Sequence, residues 1–332
     1  MMRQSSTLRT AADRVMQSML IATLSVLLPL GASAAPTQPP EALRVLISGT
    51  AHEALFAVAF SGSKGIAVGS AGAILASSDS GKTWKHEATD AAAVTLLGVD
   101  ISGEHAIAVG QQGLILRREG GKWIKSNSGS EGRLFAVSVN SKGQALAVGA
   151  FGVVLKSDDS GASWQSVPPT WTTYSDVGVD PHLYAAQVDE AGALTLAGEF
   201  GLILHSTDGG KHWAPEHKGD ASIFALQLRE DGVGYAVGQS GLVLRTADHG
   251  VTWTTLTSGS TAILLGVDAL PNGHVVASGM HDMIESKDDG KTWTHVISPD
   301  ASTSWYEGVG TATESGSFIA VGHSGRIVDV GG

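Results

Sequence analysis

The residues whose type and spacing most suggest chemistry are five aspartates, each set in the same short string, Ser/Thr-x-Asp-x-Gly-x-x-Trp. Carboxylates are common acid–base groups in catalysis. Asp and Ser side chains also hydrogen-bond nearby backbone amides in turns, and Gly takes the left-handed position of a tight hairpin. The copies are SSDSGKTW (77–84), SDDSGASW (157–164), STDGGKHW (206–213), TADHGVTW (246–253) and SKDDGKTW (286–293). A catalytic group is not normally needed five times, so we predict that these aspartates stabilise turns.

Metal and cofactor sites are not indicated by the remaining polar residues. The 12 histidines are scattered singly, and the chain has no cysteine, which excludes disulfides and thiolate metal sites. His281 and His323 are predicted on one face in adjacent repeat units, but surface histidines at turns explain them more simply. No Ser-His-Asp arrangement and no phosphate-binding glycine loop is present. We therefore predict no cofactor and no metal.

The strings belong to a larger repeat that must position them. A full unit holds an apolar segment, a second apolar run that crosses a glycine-rich turn, the Asp string and a short segment after the tryptophan. The second unit shortens the string to REGGKW (118–123), and the last unit lacks it. The tryptophans at 84, 123, 164, 213, 253 and 293 are 39–41 residues apart, with one interval of 49. The runs are short, rich in Val, Ile and Leu, and bounded by turn residues, as in strands. A repeated unit of about 40 residues with four strands is typical of a β-propeller blade.

Counting the apolar segments gives seven units, of which the last stops after its third strand at GRIVDVGG. The strand-like segment EALRVLISG (41–49) can supply the missing strand, since Leu43 precedes Phe56 by 13 residues, as Trp84 precedes Leu97. The sequence therefore predicts an all-β fold. It is a seven-bladed propeller of four-stranded antiparallel blades, closed by an N-terminal strand that joins the last blade.

The longer repeat, AVGxxGxILxSxDxGxTW, resembles the photosystem II stability/assembly factor family of seven-bladed propellers with BNR (Asp-box) repeats. The resemblance covers about residues 43–330. It implies a non-catalytic protein that chaperones or docks onto a membrane protein complex. Relatives of this family in non-photosynthetic bacteria are often encoded beside RND-type exporters, so the resemblance also suggests such an exporter as the partner. In sialidases, which share the Asp box, the motif is structural.

The N-terminus reads as a targeting segment. Three arginines precede the apolar run SMLIATLSVLLPL (18–30), and small residues mark a cleavage site near Ala34. We expect a signal peptide at 1–35, a linker at 36–42, a propeller at 43–332 and a periplasmic or secreted protein; an uncleaved anchor is the alternative. The mature chain would hold 18 basic and 31 acidic residues, a net charge of −13. That charge disfavours nucleic acid and favours a partner with a basic surface. We expect a monomer when the protein is free.

A sialidase-like glycoside hydrolase is the enzymatic alternative. It needs three arginines around a carboxylate, a Tyr–Glu nucleophile pair and an acidic Asp. Only Arg133 and Arg326 are predicted on the face opposite the Asp strings. Tyr306 and Glu307 are adjacent, and neighbours in a strand point to opposite sides. We therefore predict that the protein is not an enzyme.

A binding patch is predicted where the Gly-x-x-Gly turns and the blade-to-blade connections share one face. Turns of two neighbouring blades carry Phe151 and Phe200, and the long tryptophan interval places a loop, 169–182, between them. Aromatic residues on a loop-rich face suggest recognition of a partner. The alternatives are that these phenylalanines pack beneath the loop, or that the patch binds a glycan or lipid. The predicted binding residues are Phe151, Phe200, Trp171, Tyr174, Glu199, His281, His323, Trp305 and Tyr306.

Overall fold

The computed structural model describes residues 42–89, 93–174, 178–312 and 315–331. These residues form seven antiparallel sheets of four strands each, one short α-helix, α1 (Pro299–Thr303), and six single-turn 3-10 helices. The predicted seven-bladed all-β propeller is thereby confirmed. The predicted signal peptide lies outside the described residues.

The first three blades follow one another along the chain, each with its strands in sequence order. Blade 1 consists of β2 (Leu55–Ser61), β3 (Lys64–Gly69), β4 (Ile74–Ser77) and β5 (Lys85–His86). Blade 2 consists of β6 (Leu96–Ser102), β7 (His105–Gly110), β8 (Ile115–Glu119) and β9 (Lys122–Ser126). Blade 3 consists of β10 (Leu134–Val139), β11 (Ala145–Gly149), β12 (Val154–Ser157) and β13 (Gln165–Ser166).

The next three blades repeat the same order. Blade 4 consists of β14 (Leu183–Val188), β15 (Leu194–Gly198), β16 (Ile203–Ser206) and β17 (Ala214–His217). Blade 5 consists of β18 (Ile223–Leu228), β19 (Gly234–Gly238), β20 (Val243–Thr246) and β21 (Thr254–Leu256). Blade 6 consists of β22 (Leu264–Ala269), β23 (Val275–Gly279), β24 (Met283–Ser286) and β25 (Thr294–His295).

Blade 7 closes the ring by joining the two ends of the propeller. It contains β26 (Tyr306–Ala312), β27 (Ser317–Gly322), β28 (Ile327–Val330) and, as its outermost strand, β1 (Leu43–Ile47). Leu43 lies opposite Val330, and Arg44 forms a 2.6 Å ion pair with Asp329. The predicted closing strand is confirmed.

The core lies between neighbouring blades, and this explains the strand sequences. The first strands of adjacent blades contact one another around the ring and are innermost. The second strands are covered on both faces; all five residues of β11 are buried. Such strands read as continuous apolar runs rather than alternating ones.

The Asp strings close the turns between third and fourth strands, as predicted. Ser157 Oγ donates to Asp159 Oδ1 at 2.8 Å and accepts from the Gly161 N–H at 2.9 Å. Asp159 Oδ1 also accepts from the Ser163 N–H at 2.8 Å, and the Trp164 indole donates to the Gly161 carbonyl at 3.1 Å. Hydrogen bonds from Ser163 and its backbone lower the pKa of Asp159 to about 2. The carboxylate is therefore engaged within its own turn.

Candidate functional site

The propeller has two faces that differ in the turns they carry. On one face, which we call the turn face, the second-to-third-strand turns contact the blade-to-blade connections. Ala150 donates to the Arg133 carbonyl at 2.9 Å, and Gly152 donates to the Pro181 carbonyl at 2.8 Å. On the other face, the Asp-box face, Ser160 of an Asp string donates to the Gly143 carbonyl at 2.8 Å. The predicted separation of the two turn types is correct.

Every inner strand carries a β-bulge immediately after its first residue. In blade 1, Leu55 pairs with Gly69 and Ala57 with Val68, which leaves Phe56 as the extra residue. A bulge re-aims its side chain away from the regular alternation of the strand. The same shift recurs in all seven blades. The seven extra residues, which we call the central ring, are Phe56, Leu97, Phe135, Tyr184, Phe224, Leu265 and Glu307.

The central ring surrounds a cavity of about 270 Å³ on the propeller axis. Gln111, from the turn of blade 2, and Arg133, from the connection into blade 3, complete its lining, so the cavity opens on the turn face. The residue after each ring member is Ala or Gly because the inner strands come very close there. A Cβ on Gly266 would lie 2.4 Å from the Glu307 carbonyl oxygen, and one on Gly98 would lie 2.7 Å from that of Phe135.

Glu307 is the only acidic residue among the described residues that line this cavity. Its carboxylate has no hydrogen-bond or ion-pair partner in the described part of the chain, and burial raises its pKa to about 7. The side chain is half-buried, and the partial removal of a carboxylate from water without a compensating partner is costly. The ring thus combines six apolar or aromatic side chains with one unsatisfied acid.

Aromatic side chains extend from the ring to the rim of the turn face. The rings of Phe135 and Tyr184 are 5.3 Å apart, and those of Tyr184 and Phe224 are 5.0 Å apart. His182 lies 6.1 Å from Phe135 and 4.7 Å from Phe151. We call these five residues the aromatic band. Its outer end is solvent-accessible, since Phe151 is 73% exposed.

Four of the predicted residues lie near this band, Trp171 and Tyr174 in the inserted loop and Glu199 and Phe200 in the turn of blade 4. Trp171 is buried, and its indole donates to the Gly152 carbonyl at 3.2 Å. Tyr174 donates its hydroxyl to the Trp213 carbonyl at 2.6 Å. Glu199 accepts a 2.8 Å bond from the His182 N–H and so holds the start of β14. Phe200 is half-buried on the neighbouring turn.

The predicted residues of blades 6 and 7 have different environments. Trp305 is half-buried and stacks on Phe56, with ring centroids 5.9 Å apart and planes 13° apart, so it backs the central ring. Tyr306 is 1% exposed and donates its hydroxyl to Asp300. His323 lies 3.5 Å from Asp300, and burial lowers its pKa. His281 is exposed on the turn of blade 6. Phe151 and His281 therefore present the most accessible surface among the predicted residues.

The geometry also bears on the hydrolase alternative. Tyr306 points into the packed core, whereas Glu307 lines the axial cavity, so the two cannot act as a nucleophile pair. Arg326 is held by Asp300. In the ranges that the structure describes, no group of three His, Asp or Glu residues could hold a metal ion. Nor do those ranges contain a helix of the length and hydrophobicity that a membrane span requires.

The central ring was not among the residues predicted from the sequence. The signal was present, because the second residue of every inner strand is bulky in a segment whose third residue is Ala or Gly. Only YEGVGT places an acid at that position. Without the bulge, regular alternation does not place this residue on the axis.

Comparisons with known proteins agree with this architecture. Residues 41–167 match the family model described as photosynthesis system II assembly factor YCF48. The structure of YCF48 bound to D1 peptide has a TM-score of 0.67 and 17% identity, covering 90% of this chain and 99% of that one. YCF48 from Cyanidioschyzon merolae has a TM-score of 0.68 and 20% identity, covering 87% and 98%. No curated protein sequence matches the chain.

The solved structure of U3-55K has a similar fold. U3-55K has a TM-score of 0.68 and 12% identity, with 87% of this chain and 98% of that chain covered. At such identities the likeness shows the propeller fold alone. The family match and the two YCF48 structures together confirm that the chain carries a seven-bladed propeller similar to the photosystem II assembly factors.

Proposed function

We propose that the protein is a non-catalytic binding module that assists a membrane protein complex and docks through its turn face. The observation that carries this proposal is the aromatic band, which runs from exposed Phe151 to the central ring. Aromatic residues with a polar neighbour supply contact area at low cost in side-chain entropy and are enriched at protein interfaces. The similar structure of YCF48 bound to D1 peptide supports a polypeptide partner.

The partner that we propose has a basic docking surface. After removal of residues 1–35 the chain carries a net charge of −13, which favours association with a positively charged surface. We propose a periplasmic or secreted location because of the apolar N-terminal segment, and an RND-type exporter as the membrane complex because relatives of this family are encoded beside such exporters.

The test places a photo-cross-linking residue, p-benzoylphenylalanine, at position 151 of the full chain in the host's own cells. The matched control carries it at position 251, because Val251 is 52% exposed and belongs to an Asp string on the other face. We expect a membrane protein, identified as an RND exporter subunit by mass spectrometry, to cross-link from position 151 and not from position 251. Cross-linking from position 251 alone would place the interface on the Asp-box face, and none from either position would overturn the proposal.

The location has its own test. N-terminal sequencing of protein from the periplasmic or secreted fraction should show a chain that begins near Ala35. Recovery of uncleaved protein in the membrane fraction would instead support the anchor.

A glycan or lipid ligand is the second candidate, and the axial cavity is the observation that favours it. At about 270 Å³ the cavity is just below the common size range of small-molecule sites, about 300–1,000 Å³. Binding on a glycan or lipid array, lost on substitution of a central-ring residue, would favour this candidate over a polypeptide partner.

A further inference from the structure

We propose that the central ring receives a primary ammonium group on a short apolar stem, as a lysine side chain of the partner polypeptide provides, and that Glu307 is its counter-ion. This inference rests on the proposed function, because the cavity opens on the face where the partner is proposed to dock. It names the chemistry that the partner must present.

The first support is the isolation of the Glu307 carboxylate. Six of the seven ring residues are apolar or aromatic, and the carboxylate has no partner in the described part of the chain. Glu307 is half-buried, and a partly desolvated charge without a partner is unfavourable, whereas a cation brought into contact with it restores the lost interaction. The same desolvation raises the pKa of Glu307 to about 7. A bound cation would offset this cost of holding the charged carboxylate in the cavity.

The second support is the identity of the other ring residues. Phe56, Phe135, Tyr184 and Phe224 contribute four aromatic side chains around one cavity. Aromatic faces attract cations, and the attraction grows when water is excluded. The ring already makes one such contact, since the Arg133 guanidinium lies 5.9 Å from the centre of Phe135. The apolar edges of these rings and the two leucines suit a methylene stem.

The size and mouth of the cavity favour lysine. Its volume of about 270 Å³ suits one slender side chain, and the cavity is entered from the turn face, beside Gln111 and Arg133. Lysine carries a compact charge at the end of a flexible stem of four carbons, whereas the planar fork of arginine is suited to bidentate contacts. An anionic ligand would meet Glu307 and is disfavoured. Arg133 at the mouth repels a bound cation. Its removal should therefore strengthen ammonium binding, whereas removal of the Glu307 charge should weaken it.

The test uses n-butylammonium chloride as a lysine side-chain analogue, titrated at pH 8 and followed by the NMR signals of the protein's amides. The neutral isostere n-butanol measures the contribution of the stem alone, and tetramethylammonium measures binding of a stemless cation. We expect wild type to bind n-butylammonium about tenfold more tightly than n-butanol, about 1.4 kcal/mol, and more tightly than tetramethylammonium. Equal binding of n-butylammonium and n-butanol would overturn the role of Glu307, and preference for tetramethylammonium would overturn lysine as the occupant.

Three variants test which residue produces the preference for n-butylammonium over n-butanol. Glu307→Gln should remove the preference for the ammonium over the alcohol, and thermal unfolding will show whether it is folded. Arg133→Gln should keep or strengthen that preference. Glu230→Gln, at an exposed acid that lines a different cavity, should leave it unchanged. A preference that survives in Glu307→Gln, or that disappears in Glu230→Gln, would contradict the assignment.

The lysine pocket and docking through the turn face can be disproved separately. If position 151 cross-links to a membrane protein but n-butylammonium does not bind through Glu307, docking stands and the lysine pocket is wrong. If n-butylammonium binds through Glu307 but position 151 cross-links to nothing, the pocket's chemistry stands, whereas the proposed docking and the partner's lysine as its occupant are wrong.

Discussion

Phe151 and His182 hold each other at the boundary between the third and fourth blades. Their rings are 4.7 Å apart, and His182 Nδ1 accepts a hydrogen bond from the Phe151 N–H at 3.2 Å. Phe151 is held there with a φ of 53°, in the left-handed region that non-glycine residues rarely adopt. The equivalent turn residues of the other blades, such as Ala71, have the same conformation, so it belongs to the turn. What distinguishes Phe151 is that its large apolar ring is 73% exposed, which favours a binding role over a packing one.

Replacing Phe151 by glycine should separate stability from binding. Because glycine adopts left-handed conformations without steric cost, we expect Phe151→Gly to raise the free energy of unfolding by about 1 kcal/mol and to weaken partner binding. Urea unfolding and a pull-down measure the two effects. Ala71→Gly is the matched control, because Ala71 has the same φ of 53° in blade 1. It should gain similar stability and keep full binding; equal loss of binding in both variants would contradict the role of Phe151.

Closure of the ring by β1 should contribute strongly to stability. Leu43 is 2% exposed and packs among the buried residues of blade 7. We expect Leu43→Ala to lower the free energy of unfolding by about 2–4 kcal/mol through lost burial and a cavity. Val45→Ala, in the same strand at a side chain 47% exposed, should cost less than about 1 kcal/mol. Similar urea midpoints for the two variants would show that β1 is not an integral strand.

The Asp strings should make the protein sensitive to strong acid. Hydrogen bonds, chiefly from the side chain or backbone of the Thr or Ser four residues later, lower the pKa values of Asp79, Asp159, Asp248 and Asp288 to about 2. Below pH 4 the unfolded chain therefore binds more protons than the folded one. These aspartates contribute nothing to the pH dependence above pH 4, and the melting temperature should fall as the pH drops from 4 to 2. Asp159→Asn should make this fall shallower, whereas Asp158→Asn leaves the hydrogen bonds of Asp159 in place and should not.

Glu307 should make the stability of the protein fall, rather than rise, as the pH increases toward neutrality. Burial raises its pKa to about 7, so the folded state holds a proton that the unfolded state releases, and stability falls as the pH rises from about 4 to 7. Asp268, with a pKa raised to about 6 by burial, acts in the same sense. We expect Glu307→Gln to exceed wild type in melting temperature at pH 8, by roughly 2–6 °C, and to match it at pH 4. An equal difference at both pH values would show that titration of Glu307 is not the cause.

The architecture could be predicted because the same short-range turn and strand signals recur along the chain. The Gly-x-x-Gly and Asp strings mark turns through backbone conformation and short-range hydrogen bonds, which depend on residues a few positions apart, as in Ser157 and Gly161. The closing strand followed from the incomplete last unit, the strand-like segment 41–49 and its spacing, since Leu43 stands before Phe56 as Trp84 stands before Leu97. The sequence also predicted different directions for Tyr306 and Glu307 from strand alternation, although in the structure a bulge sets the direction of Glu307.

The roles of individual aromatic residues could not be predicted in the same way. Phe151 and Trp171 both lie in turns or loops, yet one is 73% exposed and the other 8% exposed, because Trp171 fills the space beneath the turn that carries Phe151. Which of two nearby rings is covered depends on the packing of the neighbouring blade. Local sequence does not contain that information.

What the sequence alone determined was the repeat, the number of blades, the closing strand and the structural role of the Asp strings. The central ring was decided only by the tertiary structure. Its seven residues are separated by about 40 positions or more, and they meet because a bulge in each inner strand turns one side chain toward a shared axis. The raised pKa of Glu307 arises in the same way, since the partial loss of water around its carboxylate requires the other blades to close around it.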